Sequence, residues 1–183
     1  MKKIILKGKK VTLRPLSFED APDYCRWLAD REVTKFLSIY ENKPPTRREE
    51  RAWIKEAKKD KTRICLAIDT TEGKHIGSVS LMKIDYFSKR AEYGIFIGDR
   101  RYHGQGCGTE AGKLLVEYGF KRLKLHRIYL RLIGYNVRGQ RSYEKIGFKI
   151  EGRMRDHVYR DGCYHDEILM GILYNEYLKK YAP

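Results

Sequence analysis

The stretch DRRYHGQGCGTEA, residues 99–111, decides the fold of this chain. Gly104, Gly106 and Gly108 alternate directly before a segment whose apolar residues recur at helical spacing. Glycine lets main-chain N–H groups turn toward one point without interference from a Cβ atom. The first turn of a helix adds unpaired N–H donors and the positive end of the helix dipole. The sequence therefore predicts an anion cradle, most naturally for a diphosphate.

Strand-like segments lie on both sides of the helix that follows the glycines. Residues 89–97 precede the loop and residues 127–132 follow the helix, which predicts a parallel crossover pair. Alternation and turn residues predict the remaining elements: strands at 11–14, 63–69, 75–83, 148–159 and 164–173, and helices after Ser17 and at 46–59, 136–145 and 175–181. This order is typical of an α/β (α+β) fold with a mixed, mostly antiparallel sheet.

Composition limits the class of protein. The 183 residues with 42% hydrophobic content favour a single domain, residues 1–183, that folds without disulfides or metal. The cysteines are scattered and the histidines lack metal-ligand spacing, so we expect reduced thiols and no metal site. The first residues, Met1–Lys7, hold too short an apolar stretch for a secretory signal, and no membrane span is expected. These features predict a soluble cytoplasmic protein with no membrane partner.

Charge indicates the kind of partner. The net charge of +15 favours an anionic partner such as phosphates, nucleic acid or an acidic surface. A basic module that binds RNA is one alternative, supported by residues 121–127, although no recognised RNA-binding motif stands out. The same charge is compatible with ribosome or RNA contact by an enzyme.

Two common phosphate loops fit residues 99–113 poorly. Residues 106–111 formally match the GxGxxA pattern of dinucleotide-binding folds, but residues 99–103 separate the strand from the loop. That fold also requires an acidic residue about 20 positions later, and none is found near residues 126–131. A Walker A loop requires GxxxxGK[ST], whereas Gly112 and Lys113 are followed by Leu114.

A third pattern fits better. His103–Gly108 resembles the coenzyme-A loop of the GNAT acetyltransferase superfamily, Q/R-x-x-G-x-G/A, with histidine in place of glutamine or arginine. Asn136–Phe148 is similar to a second GNAT signature, N-x-x-x-x-x-x-Y-x-K-x-G-F. Leu13–Leu16 and Gly104–Ala111, in the form GxGxGTEA, resemble the RimJ/RimL branch, which includes ribosomal-protein N-terminal acetyltransferases, with spermidine acetyltransferases close by.

The resemblance implies a GNAT-like domain with helices on both faces of the sheet. Two central strands, Ala91–Ile97 and Arg127–Leu132, would splay apart, and acetyl-CoA would occupy the gap as cosubstrate. Unpaired main-chain groups in such a gap require partners, which an extended pantetheine arm would supply. The residues that would bind this cosubstrate are Phe96, Ile97, Arg101, His103, Gly104, Gln105, Gly106, Cys107, Gly108, Thr109, Asn136, Arg141 and Tyr143.

The resemblance also implies direct transfer of the acetyl group to a primary amine in a ternary complex. Tyr143 matches the tyrosine that donates a proton to the CoA sulfur, although it could instead only pack under its helix. Glu92 is the candidate base, or else a paired strand carboxylate, and His103 and His157 are weaker candidates. A bulged strand would present a backbone N–H near Phe96 or Ile97 to the oxyanion.

Other site residues have two interpretations. Cys107 is a candidate nucleophile because a helix start lowers a thiol pKa, but it lies where the diphosphate is expected. Asn136 either contacts pantetheine or caps its helix. Arg100, Arg101 and Arg141 either bind phosphates or are solvated surface charges.

The sequence is less specific about the amine that would accept the acetyl group. The segment Glu19–Arg51 and the last hairpin would flank the gap and set specificity. A protein N-terminus or another primary amine is favoured, because the net charge repels a polycation and a polyamine site requires clustered carboxylates. The acids in the segment include Asp20, Asp23, Asp30, Glu32, Glu41, Glu49 and Glu50. A spermidine acetyltransferase, a CoA-sensing module and a homodimer stay open.

Overall fold

The computed structural model describes residues 4–37 and 43–181. Met1–Lys3 of the N-terminal stretch and Glu41 of the acceptor segment lie outside the described residues. The sheet has the strand order β1-β2-β3-β4-β5-β6-β8-β7. Its strands are β1 (Leu6–Lys7), β2 (Val11–Pro15), β3 (Ile64–Thr70), β4 (His75–Asp85), β5 (Arg90–Ile97), β6 (Arg127–Ile133), β7 (Lys149–Arg160) and β8 (Cys163–Leu173).

Helices cover both faces of the sheet, as predicted. They are α1 (Ala21–Leu28), α2 (Arg31–Thr34), α3 (Arg47–Lys59), α4 (Cys107–Lys121), α5 (Val137–Ile146) and α6 (Tyr174–Tyr181). The apolar residues of α1–α3 form one buried cluster, and those of α4–α6 belong to another on the opposite face. No helix of the described ranges is long and apolar enough to cross a membrane.

The sheet is mixed in the predicted way. Among the described strand pairs, β5 and β6 are parallel and the others are antiparallel. The β7–β8 hairpin turns at Asp161 and Gly162, whose φ angles of 52° and 82° suit a two-residue turn. Sequence patterns missed β1 and α2, because elements of two and four residues are too short to show a period.

The inward face of α1 differs from the prediction. Helical spacing predicts that Ala21, Tyr24, Cys25 and Leu28 face inward. Ala21 and Tyr24 are buried, but so is Trp27, whereas Cys25 and Leu28 are only partly buried. Trp27 can be buried because the residue that follows β5 is Gly98. A Cβ at this position would come within 2.0 Å of the Trp27 ring. Glycine at this position therefore opens the space that the indole fills, and helical spacing alone does not reveal this contact.

Candidate active site

The two central strands splay. β5 and β6 pair at three positions only, the last being Glu92 with Tyr129. Beyond this point β5 pairs with β4 and β6 pairs with β8, each to its end. Residues 93–97 and 130–133 therefore face each other across a gap, without strand pairing. The predicted divergence of these two strands is confirmed.

The glycine loop lies at the open end of this gap. Gly104 and Gly106 have φ angles of 75° and 83°, in the left-handed region that favours glycine. The helix α4 starts at Cys107, and the first amide that it pairs is that of Glu110, which donates to the Gly106 carbonyl. The N–H groups of residues 104–109 donate no hydrogen bond to any described residue. The loop thus offers unpaired main-chain donors together with a helix dipole, which suits a diphosphate.

His103 joins the loop to both sides of the gap. Its Nε2 donates to the Ile97 carbonyl at 2.8 Å, and its Nδ1 accepts from Arg138 Nη1 at 3.2 Å. Burial lowers the pKa of His103, and the charges of Arg138 and Arg100 lower it further. The ring is therefore neutral near pH 7 with both nitrogens engaged, so this arrangement does not favour His103 as a general base.

Lys10 is a loop contact that sequence reasoning missed. Its Nζ donates to the Gln105 carbonyl at 2.8 Å. The Glu110 carboxylate accepts from the amides of Lys9, Lys10 and Val11 at 2.7–3.1 Å and so fixes the start of β2 against α4. Lys10 lies about a hundred positions from the loop in sequence, and no local pattern could have revealed this contact.

The other predicted phosphate ligands differ in their surroundings. Arg101 is exposed, and its guanidinium forms an ion pair with Asp99 at 2.7 Å. The Gln105 side-chain amide donates back to the Arg101 carbonyl. Arg141 is exposed on α5. Arg101 can reach a phosphate only by sharing its charge with Asp99, whereas Arg141 faces solvent.

The surroundings of the Cys107 and Thr109 side chains indicate structural roles. Burial raises the pKa of the Cys107 thiol, which opposes thiolate formation and so argues against a covalent route. Thr109 Oγ1 lies 2.8 Å from Ser142 Oγ, and this contact joins the first turn of α4 to α5. Both residues still present their main-chain N–H groups within the loop.

Tyr143 lies on α5 between two aromatic rings. Its ring meets those of Tyr93 and Phe148 edge to face, with centroids 6.0 and 6.1 Å apart. Burial raises the pKa of Tyr143 to about 12, so the hydroxyl stays protonated at neutral pH and can donate. Asn136 caps α5, because its Oδ1 accepts from the Gly139 amide at 2.9 Å.

Glu92 lies at the closed end of the gap. It is the last residue of β5 that pairs with β6, and its Oε2 lies 2.7 Å from Lys83 Nζ. Alternation along β5 places Tyr93 on the α4 face, where a Cβ on Gly112 would come within 2.7 Å of its hydroxyl. Glu92 therefore projects from the opposite face, so that a carboxylate and the Tyr143 phenol lie on opposite faces of the sheet.

The expected bulge at Phe96 and Ile97 is wrong. β5 keeps one regular register with β4 from Glu92 to Ile97, and the irregularity falls between Met82 and Asp85 of β4. Phe96 instead packs its ring against Tyr24 and Trp27 on the α1 face. The edge of β5 that faces the gap lacks strand pairing because β6 diverges from it after Glu92, and no bulge at Phe96 or Ile97 is needed.

The segment around α2 contacts the last hairpin. Arg160 of β7 donates to the Lys35 and Leu37 carbonyls at 2.7 Å, and the Tyr135 hydroxyl donates to the Lys35 carbonyl at 2.9 Å. An ion pair joins Arg31 to Asp161 at the tip of the hairpin. Two regions that the sequence placed beside the gap thus meet at its open end.

Glu167 of β8 was also missed. It is 9% exposed, and its Oε2 makes no hydrogen bond with a described residue. Arg131 Nη1 and His157 Nε2 lie 3.7 Å from that oxygen. Strand pairing places Glu167 on the same face as Glu92, beside the open arm of β6. His157, a candidate base, is therefore next to a buried carboxylate.

Comparisons with known proteins agree with this geometry. Residues 10–149 match the model of the acetyltransferase (GNAT) domain family, a range that includes both sequence motifs. The spermidine N(1)-acetyltransferase of Escherichia coli K12 is 34% identical over 110 residues. That match covers 60% of this chain and 59% of the relative, so it spans less than two thirds of that protein.

Two further relatives match over nearly their whole length. The uncharacterized N-acetyltransferase p20 of Bacillus licheniformis is 29% identical over 175 residues, which are 94% of this chain and 97% of that protein. The crystal structure of spermidine N-acetyltransferase from Vibrio cholerae, in complex with CoA and spermine, superposes with a TM-score of 0.85 at 25% identity. The superposition covers 93% of this chain and 99% of the Vibrio cholerae chain.

Proposed function

Since this chain belongs to the GNAT acetyltransferase family, as its two motifs predicted, we propose that it transfers the acetyl group of acetyl-CoA to a primary amine. The proposed reaction is direct attack of the amine in a ternary complex. The observation that carries this proposal is the splay of β5 from β6 after Glu92, with unpaired loop amides at the open end.

The residues at the gap fit acetyl-CoA, which supplies an activated thioester. Main-chain N–H groups of residues 104–109 would hold the diphosphate, and Lys10 adds a positive charge beside them. The unpaired edges of β5 and β6, including Phe96 and Ile97, would pair with an extended arm. Asn136, Arg101 and Arg141 lie at or near the same end and are proposed as further contacts.

Two side chains are proposed to move protons. Tyr143 holds its proton at neutral pH because burial raises its pKa, so it can donate to a leaving thiolate. Glu92 lies on the opposite face, where its carboxylate can take the proton of an incoming ammonium. Because Tyr143 and Glu92 lie on opposite faces of the sheet, the acetyl donor and the amine acceptor can approach the gap from opposite sides.

The acceptor that we favour is a peptide N-terminus or another small primary amine. A spermidine acetyltransferase is the second candidate, since two of the similar proteins carry that name. A polyamine site requires several unneutralised carboxylates facing one cavity, but four of the described carboxylates near α1 and α2 lie within ion-pair distance of an arginine or lysine. Those pairs are Asp20–Arg14, Asp23–Arg26, Asp30–Arg100 and Glu32–Lys35.

The test is a panel of amines incubated with acetyl-CoA while free thiol is measured. The panel contains peptides with free N-termini, spermidine, spermine and an aminoglycoside. We expect turnover with peptides to exceed turnover with spermidine. Faster turnover with spermidine would replace the favoured acceptor by the second candidate. Thiol release that no amine stimulates would overturn the proposed function.

Three broader expectations stay predictions: a homodimer, contact with a ribosome or RNA, and a cytoplasmic location. Light scattering measures the first. Binding of RNA that falls steeply with salt would support the second.

A further inference from the structure

A cavity of about 390 Å³ lies beside the glycine loop at the open end of the gap. Its walls are Glu32, Lys35, Phe36, Arg100, His103 and Arg138. They come from the α2 segment, from the residues just before the glycines, and from the first turn of α5. The cavity therefore lies where three separate parts of the chain converge.

The walls carry more positive than negative charge. Lys35 is neutralised by Glu32, with Nζ and Oε2 2.6 Å apart. Arg100 forms an ion pair with Asp30 at the longer distance of 3.5 Å, which offsets its charge only in part. The remaining charge belongs to Arg138.

Arg138 makes no ion pair with a carboxylate of the described residues. Its guanidinium meets the neutral His103 ring at 3.2 Å and lies 5.7 Å from the centre of the Phe36 ring. Both contacts orient the guanidinium, and neither neutralises it. Arginine held in this way is suited to bind a carboxylate or phosphate through paired N–H donors.

The position of the cavity favours the acceptor as the source of that anion. The α2 helix buries Val33 in the cluster that also holds α1 and α3, on the sheet face opposite α4. The unpaired amides proposed for the diphosphate lie at the start of α4, on the other face. Glu92 projects from the same face as α1, so the proposed base and the cavity lie on one face of the sheet, the base at the closed end of the gap and the cavity at the open end.

We propose that this cavity is an anion subsite for the acceptor, in which Arg138, assisted by Arg100, binds a carboxylate of the acceptor. The preferred substrates are then peptides whose N-terminus is followed by acidic residues. This inference rests on the proposed function and narrows its substrate class. It also predicts that a polycation suits the site poorly, since its charges would face Arg138.

The experiment compares two amidated peptides that differ only by Glu or Gln at the second and third positions. We expect kcat/KM for the acidic peptide to be about tenfold higher, and Arg138→Gln to bring the ratio close to one. Arg138→Lys should restore part of the ratio. Arg122→Gln, which removes an exposed charge just after α4, should leave it unchanged. The KM for acetyl-CoA should change less than about twofold.

Calorimetric titration of the same peptides into the protein gives the ratio of affinities without turnover. Equal affinities for both peptides would overturn the subsite, even if every amine is acetylated. A rise in the KM for acetyl-CoA in Arg138→Gln, with the peptide ratio intact, would overturn it too and assign the cation to a cofactor phosphate. Absence of turnover with every amine would contradict the proposed function, while the titration would still decide the subsite.

Discussion

The two ends of the proposed reaction are built from different parts of the polypeptide. On the proposed acyl-donor side, the cradle consists of the main-chain amides of residues 104–109, which donate to no described residue. On the acceptor side, side chains from α2, α5 and the loop before the glycines form a charged cavity. The proposed donor is acetyl-CoA, and we propose that backbone groups supply most of the contacts to its diphosphate. The acceptor varies, and its recognition depends on side chains that can change singly.

The comparison predicts how each side responds to substitution. A change on the donor side should act through backbone conformation, and a change on the acceptor side should act through charge. Changes at the two proposed proton-moving groups should affect turnover rather than binding. The predictions below test this division, beginning with the largest expected effect.

Tyr143→Phe should reduce kcat by about 10²-fold or more, because a general acid typically contributes 10²–10⁴-fold. The ring keeps its contacts with Tyr93 and Phe148, so the KM for acetyl-CoA should stay within about twofold. Steady-state kinetics of thiol release measure both constants. Normal turnover in this variant would leave Tyr143 with a packing role only.

Glu92→Gln should reduce kcat by about 10²-fold at neutral pH, since the amide cannot take a proton. The matched control is Lys83→Gln, which breaks the same ion pair from its exposed side. If the carboxylate serves only as the partner of Lys83, the two variants should show equal, small losses. A large loss in Glu92→Gln alone assigns the carboxylate to proton transfer.

Gly106→Ala should raise the KM for acetyl-CoA about tenfold, because its φ of 83° costs a residue with a Cβ about 1–2 kcal/mol. Gly108→Ala is the control. Gly108 lies in the first turn of α4, and a Cβ there would meet Ile97 at 3.4 Å, an ordinary contact. Equal effects of the two changes would argue against a cradle that depends on the loop conformation.

The last prediction concerns stability at high pH rather than turnover or binding. Burial raises the pKa of Tyr143 from 10 in the unfolded chain to about 12 in the fold. The native state therefore retains this proton more tightly, and its contribution is complete below pH 10 and lost as pH rises toward 12. The loss is about 2–3 kcal/mol. Urea titrations at pH 8 to 12 should show a flatter decline for Tyr143→Phe than for the unmodified chain.

Local patterns predicted most of the fold. The alternating glycines before an amphipathic segment located the loop and α4, and Asp161–Gly162 located the last hairpin. These features work because a turn or a helix depends on neighbouring residues. The divergence of β5 and β6 was also predicted, but from the family resemblance and not from the residue pattern of the two strands. The bulge expected from the same resemblance was wrong, since β5 keeps its register beside Phe96.

The sequence predicted less of the site than of the fold. Tyr143, Glu92 and the loop glycines could be named because motifs mark them. Lys10 and Glu167 could not, because their neighbours in space are far away in the chain. His103 was named for a role near the phosphates, whereas its ring joins Ile97 to Arg138 across the gap. A side chain's partners decide its role, and no spacing rule lists them.

By itself, the sequence determined where the backbone turns and which helix begins with free amides, because glycine conformation and helical periodicity are local properties. Only the tertiary structure decided which charges meet at the open end of the gap. The packing of α2, α5 and the loop against one another leaves Arg138 without an ion pair to any carboxylate in residues 4–37 and 43–181. Electrostatic balance depends on distances in space, and those are set only when the chain is folded.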